Sequence, residues 1–294
     1  MANSFNILKQ PNLNTTKYDS VVGMSVFRND RLDWLEQSIE SVLKQSYQGY
    51  IFIIVIDGEV SPNMKGLLHK TAENNNNILL VQTDTNVGLS ACMNFVIDYT
   101  VANMPQVKFF FRMDADDISL ESRFLKQIQF LEKHQEIHML GTSLVEVNEK
   151  GKLVGKRLLP QTHREIVSML PKRCAINHPT VCIRMSAFEN GFRYREELRN
   201  TQDYFLWIDF CEGGLKLANL PETLLKFRRV NDFYKRRGFS KSLNEYKARF
   251  YAMKHLNAYS VGNLIYANGV IVLRLMPAKL IKLAYKLDRY LLNK

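Results

Sequence analysis

Residues 107–120 read VKFFFRMDADDISL, and this stretch decides the fold because it joins an apolar strand directly to a cluster of acids. The run from 107 to 113 has the length and the aromatic content of a buried β-strand. Asp114, Asp116 and Asp117 follow it at once. In an open α/β sheet, ligands bind at the carboxyl ends of the strands. The three acids are therefore predicted to line a ligand site.

The preceding hundred residues alternate between apolar strand runs and helical patterns. YIFIIVID, residues 50–57, is apolar on both faces, as expected of a central parallel strand covered by helices. The predicted strands are 20–27, 50–57, 77–83 and 107–113, and the predicted helices are 31–46, 62–75, 88–99 and a helix capped by Ser119 that buries Leu120, Phe124, Ile128 and Leu131. This alternation predicts an α/β domain with a mostly parallel sheet.

The acidic cluster predicts a bound cation. Three carboxylates within four residues repel one another, and a cation would remove that repulsion. The spacing of Asp114 and Asp116 lets both reach one hard cation that keeps positions open for phosphate oxygens. The alternative is an acidic turn that only caps the following helix. No glycine-rich dinucleotide fingerprint and no GxxxxGK[ST] loop occurs in the sequence, so any phosphates are expected to be held mainly by the metal.

Composition indicates a globular protein with a basic C-terminal end. Of the 294 residues 46% are hydrophobic, and the formal net charge is +11. Residues 226–294 carry 16 Lys and Arg against three acids, so the rest of the chain is nearly neutral. The first 20 residues contain no apolar run, and no signal peptide is expected. The four cysteines have no disulfide or metal spacing and are expected to be small buried side chains in a reducing compartment.

The last part of the chain has the pattern of a basic amphipathic helix. Apolar residues recur at helical spacing among lysines and an arginine; they are Leu280, Ile281, Leu283, Ala284, Leu287, Leu291 and Leu292, with Lys279, Lys282, Lys286 and Arg289 between them. Residues 255–273 lack acids and lysines but are interrupted by asparagines and glycines, so they make a poor membrane span. The pattern favours contact with an anionic membrane, while packing on the domain and nucleic-acid binding stay as alternatives.

Six motifs in order resemble the bacterial family 2 glycosyltransferases that build O-antigens, capsules and exopolysaccharides. They are SVFRNDRLDWLEQSIESVLKQSY, IVIDG, NVGLSACMN, RMDADDISLESRF, NHPTVCIR and QDYFLW. The resemblance covers about residues 20–230 and implies the GT-A nucleotide-diphospho-sugar transferase fold, a Mn²⁺ or Mg²⁺ ion and an inverting reaction. It divides the chain into an N-terminal extension (1–18), a GT-A domain (19–230, with a donor half to about 118 and an acceptor half after it) and a basic helical tail (231–294).

The resemblance also implies roles for individual residues. It places the donor nucleotide near Ser25, Phe27, Arg28, Asp57, Asn86, Gly88, Arg112 and Asp114. It makes Asp116 the main metal ligand, with Asp114 and His178 beside it. It makes Asp203 the catalytic base. One departure is Gln202, because relatives commonly carry glutamate before the base.

Plainer interpretations exist for several of these residues. Asp57 could cap a helix, and Gly88 could serve only a turn. Asp203 starts a segment that reads as a buried helix and could simply cap it. His178 could be a structural, hydrogen-bonded histidine instead of a ligand.

The function implied by the resemblance is transfer of a hexose, glucose or galactose or an N-acetylhexosamine, from a UDP-sugar to a saccharide acceptor. The acceptor is expected on polyprenyl pyrophosphate, with the enzyme in the cytoplasm, held to the inner face of the membrane through residues 270–294 and binding no nucleic acid. Two alternatives are a nucleotidyltransferase acting on a sugar phosphate and a non-catalytic protein that binds nucleotide sugars. The presence of Asp203 argues against the second.

Overall fold

The carboxyl ends of the parallel strands organise this fold, as the sequence predicts. The structure is a computed structural model that describes residues 4–11, 17–229 and 239–274. Its strands are β1 Phe5–Lys9, β2 Ser20–Phe27, β3 Tyr50–Asp57, β4 Ile78–Thr83, β5 Phe109–Asp114, β6 Ile118–Ser119, β7 Ile137–Val147, β8 Leu153–Arg157, β9 Cys182–Arg184 and β10 Lys216–Arg228. Its helices are α1 Leu32–Leu43, α2 Pro62–Asn74, α3 Leu89–Asn103, α4 Arg123–Lys133, α5 His163–Met169, α6 Met185–Glu189, α7 Gln202–Glu212, α8 Phe239–His255 and α9 Val261–Arg274.

Within the described residues, all ten strands belong to one mixed sheet. The order is β1-β4-β3-β2-β5-β9-β7-β10-β6, with β8 paired to β7. Strands β4, β3, β2 and β5 run parallel to one another, as do β7 and β10. Strand β9 runs antiparallel between β5 and β7 and joins the two parallel groups. The predicted mostly parallel sheet is therefore confirmed.

Two apolar layers cover the sheet, one on each face. Alternate residues of β3 point to opposite faces, so Ile53 belongs to one layer and Ile54 to the other. Helices α1, α2 and α4 contribute to the layer of Ile54, whereas α3, α7 and α8 contribute to that of Ile53. Every residue of β3 is buried, which explains why its sequence lacks the polar alternation of a half-exposed strand.

One local expectation needs correction. Ser119 does not cap α4: it lies in β6, which pairs with β10, and its backbone N–H donates to Ser41 Oγ at 3.0 Å. Gln45 Oε1, from the segment after α1, instead accepts the N–H of Phe124 at 3.1 Å. Within the predicted N-terminal extension, residues 5–9 form β1, which pairs antiparallel with β4.

The C-terminal part is described only as far as α9. Helix α8 buries Ala248, Ala252 and Met253, while α9 exposes Val261 and Ile265. No helix within the described part of the chain is both long and apolar enough to cross a membrane. The predicted basic amphipathic helix around 280–292 lies outside the described residues.

Candidate active site

Strand register brings the predicted site residues to one edge of the sheet. Ser25 of β2 lies opposite Asp114 of β5, and Phe27 lies opposite Asp57 of β3. These strand ends open into a cavity of about 820 Å³. Eight sequence-predicted residues line it: Ser25, Phe27, Asp57, Asn86, Gly88, Arg112, Asp114 and Asp116. Arg28 lines a smaller adjoining cavity of about 390 Å³, which shares Asp57 and Asn86.

The acids after β5 form a compact carboxylate cluster. Asp114, Asp116 and Asp117 each present an oxygen within 4.8 Å of the others. Ser38 of α1 donates to the Asp114 carbonyl at 2.7 Å, and the buried Arg112 forms an ion pair with the Asp114 carboxylate. Asp117 is fully buried, and its Oδ1 accepts the Arg228 backbone N–H at 2.9 Å. Sequence reasoning named the first two as metal ligands and left Asp117 without a role.

The chemistry of this cluster fits a divalent cation. Burial raises the pKa of Asp116 to about 6, and the charge of Asp114 adds to the shift. Burial and then the charges of Asp116 and Asp114 raise the pKa of Asp117 well above its ordinary value. Within the described residues, Asp117 Oδ2 is buried without a hydrogen-bond partner. A hard cation would supply the missing positive charge and take oxygen ligands of this kind.

A fully buried arginine fixes the backbone that carries the acids. The Arg123 guanidinium donates to the carbonyls of Arg112 and Val181, at 3.0 and 3.3 Å, and to Gln127 Oε1 at 3.0 Å. Burial lowers its pKa to about 9. Since β5 and β9 are tied together at this point, the turn that follows Arg112 begins from a rigid base.

Asp57 anchors the loop that leads into α3. Its Oδ1 accepts the backbone N–H of Val87 at 2.6 Å, and its Oδ2 accepts that of Gly88 at 3.0 Å and the Asn86 side-chain amide at 2.8 Å. The carboxylate thus has three protein partners, close to the capping role that was the plainer interpretation. Contact of Asp57 with a nucleotide base stays a prediction.

Gly88 satisfies two requirements of this loop. Its φ is +95°, which favours glycine, and a Cβ at this position would lie 2.7 Å from Arg199 Nη1. The Arg199 side chain is exposed and reaches over the loop toward the cavity. Gly88 therefore lets a cationic side chain approach the N-terminus of α3.

Helix α7 begins at the wall of the cavity and carries the predicted base. Gln202, its first residue, lines the cavity, whereas Asp203 is not among the lining residues and is partly buried behind it. Burial raises the Asp203 pKa, opposed by the charge of Lys241. Thr201 directly before the helix has φ +62°, an uncommon backbone for a β-branched residue.

The structure does not bring His178 into the carboxylate cluster. Its Nε2 lies 3.0 Å from the Tyr194 hydroxyl, and its ring packs against Trp207. Burial, with a smaller effect from Arg112, lowers the His178 pKa well below its ordinary value, so the ring is neutral. This arrangement matches the structural alternative for His178.

Several cavity residues carried no functional assignment from the sequence. They are Asp30, Trp34, Glu149, Glu196, Leu198 and Arg199. Burial raises the pKa of Asp30 to about 7, with Asp116 and Asp114 adding to the shift. Asp30 is the third residue after the end of β2, so its position past a strand end was a usable signal. Glu196 and Arg199 come from the loop before α7, and only the tertiary fold brings them here.

The fold and this site define a class: proteins with a Rossmann-like sheet whose strand ends carry an acidic cluster, suited to a metal ion, beside a cavity. The model of glycosyl transferase family 2 matches residues 22–192, and the chain belongs to that family. The protein is therefore a glycosyltransferase, as predicted from its motifs.

Relatives of known name extend over most of the chain. The amylovoran biosynthesis glycosyltransferase AmsE of Erwinia amylovora is 30% identical over 270 residues, covering 90% of this chain and 97% of AmsE. An Escherichia coli protein named UDP-Gal:alpha-D-GlcNAc-diphosphoundecaprenol beta-1,3-galactosyltransferase is 25% identical over 237 residues, covering 78% of this chain and 81% of that protein.

Solved structures support the fold at low sequence identity. S. aureus TarS 1-349 in complex with UDP-GlcNAc aligns with a TM-score of 0.62 and 14% identity, covering 86% of this chain and 70% of that one. The mannosyltransferase PcManGT of Pyrobaculum calidifontis, in complex with GDP-Man and Mn²⁺, aligns with a TM-score of 0.56 and 10% identity, covering 98% and 84%. The predicted GT-A fold is confirmed.

Proposed function

We propose that this glycosyltransferase moves a hexose from a UDP-sugar to a saccharide acceptor, with inversion and with a divalent metal, during assembly of a surface polysaccharide. The observation that carries the proposal is the carboxylate cluster of Asp114, Asp116 and Asp117 at the edge of a cavity of about 820 Å³. A nucleotide sugar fits both features, because its diphosphate binds a divalent cation and a cavity of this volume is of the size that holds small ligands.

Names of relatives support the donor and the pathway. The Escherichia coli relative is named for UDP-Gal, and the TarS structure contains UDP-GlcNAc. The Erwinia amylovora relative is named for synthesis of the polysaccharide amylovoran. We therefore assign a UDP-sugar as donor, with glucose, galactose or an N-acetylhexosamine as the transferred group.

The donor would lie along the strand ends. Ser25, Phe27 and Arg28 after β2, together with Asn86 on the anchored loop, would contact the nucleoside. Asp114 and Asp116 would hold Mn²⁺ or Mg²⁺, which when bound neutralises charge on the UDP leaving group. Arg112, already paired with Asp114, would keep that carboxylate oriented toward the cation.

Asp203 would act as the general base. Its carboxylate would take the proton from an acceptor hydroxyl as that oxygen attacks the anomeric carbon opposite UDP. The raised pKa makes the carboxylate a better proton acceptor than an exposed aspartate, because it holds a proton more strongly. Attack from the opposite face inverts the configuration, so an α-linked donor would give a β-linked product.

The acceptor would be a saccharide on polyprenyl pyrophosphate at the inner face of the cytoplasmic membrane. The Escherichia coli relative is named for an acceptor on diphosphoundecaprenol.

The basic residues of 226–294 would attract anionic lipid. Val261, Ile265 and Val272 of α9 are each more than half exposed and would add apolar contact. Deleting residues from 270 onward should release the protein from anionic liposomes in a flotation assay, and unchanged binding would refute this attachment.

Product analysis tests the proposed reaction. The full-length chain with Mn²⁺, a panel of UDP-hexoses and a saccharide diphospholipid acceptor should form one β-linked product, identified by NMR. Asp203→Asn should lower turnover by about 10² to 10⁴. Glu212→Gln, at the exposed end of the same helix, is the matched control and should stay active. An α-linked product, or full activity of Asp203→Asn, would contradict the proposal.

A further inference from the structure

Gln202 has an unused hydrogen-bonding group at the wall of the cavity. The residue lines the cavity, yet its side chain is buried and the whole residue is only 7% exposed. Among residues 4–11, 17–229 and 239–274, no group donates a hydrogen bond to Oε1. An unpartnered buried amide oxygen is unfavourable, because it has lost its hydrogen bond to water and gained none in the protein. Such an oxygen is expected where a ligand supplies the missing hydrogen-bond donor.

The backbone of α7, not the amide of Gln202, fixes where this side chain lies. The Thr201 carbonyl accepts the N–H groups of Tyr204 and Phe205, at 3.1 and 3.3 Å, and starts the helix. The left-handed turn at Thr201 directs the chain into α7 with Gln202 at the cavity and Asp203 next to it. The amide can therefore be changed without removing any hydrogen bond that holds the helix.

The charge of the surroundings selects the kind of partner. Six carboxylates line the cavity, and one of them, Asp57, is already bonded to the loop before α3; they are Asp30, Asp57, Asp114, Asp116, Glu149 and Glu196. Charged groups of the cavity would bind the phosphates of a donor and the cation that accompanies them. The amide oxygen is a neutral acceptor that needs an O–H or N–H donor, and a sugar offers several O–H groups.

We propose that Gln202 Oε1 accepts a hydrogen bond from a hydroxyl group of a sugar bound in the cavity, which makes Gln202 a residue that determines sugar specificity. This inference rests on the proposed function, since it needs a glycosyl donor or acceptor at this site. The hydroxyl belongs either to the transferred hexose or to the acceptor saccharide, and binding experiments separate these two sources.

Gln202→Met is the most informative variant, because it keeps the length of the side chain and removes both the oxygen and the nitrogen of the amide. Calorimetry with Mn²⁺ should give the same affinity for UDP as the wild type. The affinity for the preferred member of UDP-glucose, UDP-galactose and UDP-N-acetylglucosamine should fall by about tenfold, and preference among them should shrink. The free energy of unfolding should not fall, because no protein hydrogen bond is lost.

Two further variants calibrate this result. Gln135→Met removes an exposed glutamine amide far from the cavity, whose Nε2 donates to the Glu132 carbonyl, and should leave all affinities unchanged. Gln202→Glu keeps an acceptor oxygen and should retain the sugar preference better than Gln202→Met, although its added charge weakens binding of every anionic donor.

Each outcome decides the inference. Unchanged donor affinity with an acceptor KM raised about tenfold would assign the hydroxyl to the acceptor and support the proposal. Equal loss of UDP and UDP-sugar affinity, or a loss of stability, would mean a structural role and overturn it. No change in donor or acceptor parameters would also overturn it. Failure of the wild type to bind UDP would instead refute the proposed function, and this inference with it.

Discussion

Replacing Asp57 by asparagine should destabilise the protein even when no nucleotide is present. The Asp57 carboxylate accepts three hydrogen bonds from the loop before α3. The new side-chain amide can take two orientations. In the orientation that keeps more hydrogen bonds, its oxygen lies where Oδ2 was and still accepts from the Gly88 N–H and from the Asn86 side chain. The Val87 N–H, now 2.6 Å from an N–H donor instead of an acceptor, must then lose its bond or move.

The magnitude follows from the bond that is lost. A hydrogen bond to a charged group contributes about 1.5–3 kcal/mol, so Asp57→Asn should lower the free energy of unfolding by about 2 kcal/mol. Asp57→Ala leaves all three donors without an acceptor and should lower it by roughly 4 kcal/mol, less than three independent bonds because neighbouring losses are not additive.

Urea unfolding measures this effect, with calorimetric binding of UDP as the second readout. Glu73→Gln is the matched control, because it makes the same charge change on an exposed side chain that lines neither cavity, and it should leave stability and UDP affinity unchanged. If Asp57→Asn kept wild-type stability but lost UDP affinity, the carboxylate would be a base contact and its anchoring role would be refuted.

Three further changes test other parts of the structure. Thr201→Gly and Thr201→Ala both remove the hydroxyl, but only glycine accepts φ +62° without strain. The glycine variant should therefore be more stable than the alanine variant by about 1 kcal/mol in thermal unfolding. The reverse order of stability would exclude a left-handed turn at this position. Arg123→Met should lower the free energy of unfolding by roughly 2–4 kcal/mol, since the carbonyls of Arg112 and Val181 lose their buried donor; no loss would show that these carbonyls find other partners. Burial raises the pKa of Asp203, and the base works only when it is ionised. On acidification, kcat/KM should therefore begin to decline at a pH above the ordinary pKa of an aspartate. A decline only near pH 3.8 would contradict this expectation.

The parallel half of the sheet was predictable from the sequence for a physical reason. Strands β2 and β3 are covered on both faces, so they appear as uninterrupted apolar runs, and their predicted bounds are those of the structure. The carboxyl ends of parallel strands share one edge, which is why Ser25, Asp57 and Asp114 could be grouped from the sequence alone.

The antiparallel additions were not predictable in the same way. Strand β6 has only two residues, and β10 contains Pro221 within a region where its register against β7 shifts. Strand β1 is mostly exposed, so its sequence lacks an apolar run. In each case the strand exists because of its partner, and periodicity along the chain does not report partners.

The partners of site residues were also beyond the sequence. Asp57 is bonded to residues about thirty positions later, and the bond depends on how the loop before α3 folds. His178 resembled a ligand by motif, yet its imidazole hydrogen bonds Tyr194. Arg199 and Gln202 reach the cavity only because α7 packs against the face of the sheet that carries Ile53.

Calorimetric titration of UDP with and without Mn²⁺, for the wild type and for Asp116→Asn, tests the central claim most directly. The claim is that the acids after β5 hold a cation for the diphosphate of a nucleotide sugar. We expect UDP to bind the wild type strongly only when Mn²⁺ is present, and the metal-dependent gain to disappear in Asp116→Asn, while Glu73→Gln, on an exposed side chain that lines neither cavity, behaves as the wild type. Equal UDP affinity with and without Mn²⁺, or an Asp116→Asn variant that keeps the full metal-dependent gain, would contradict the claim.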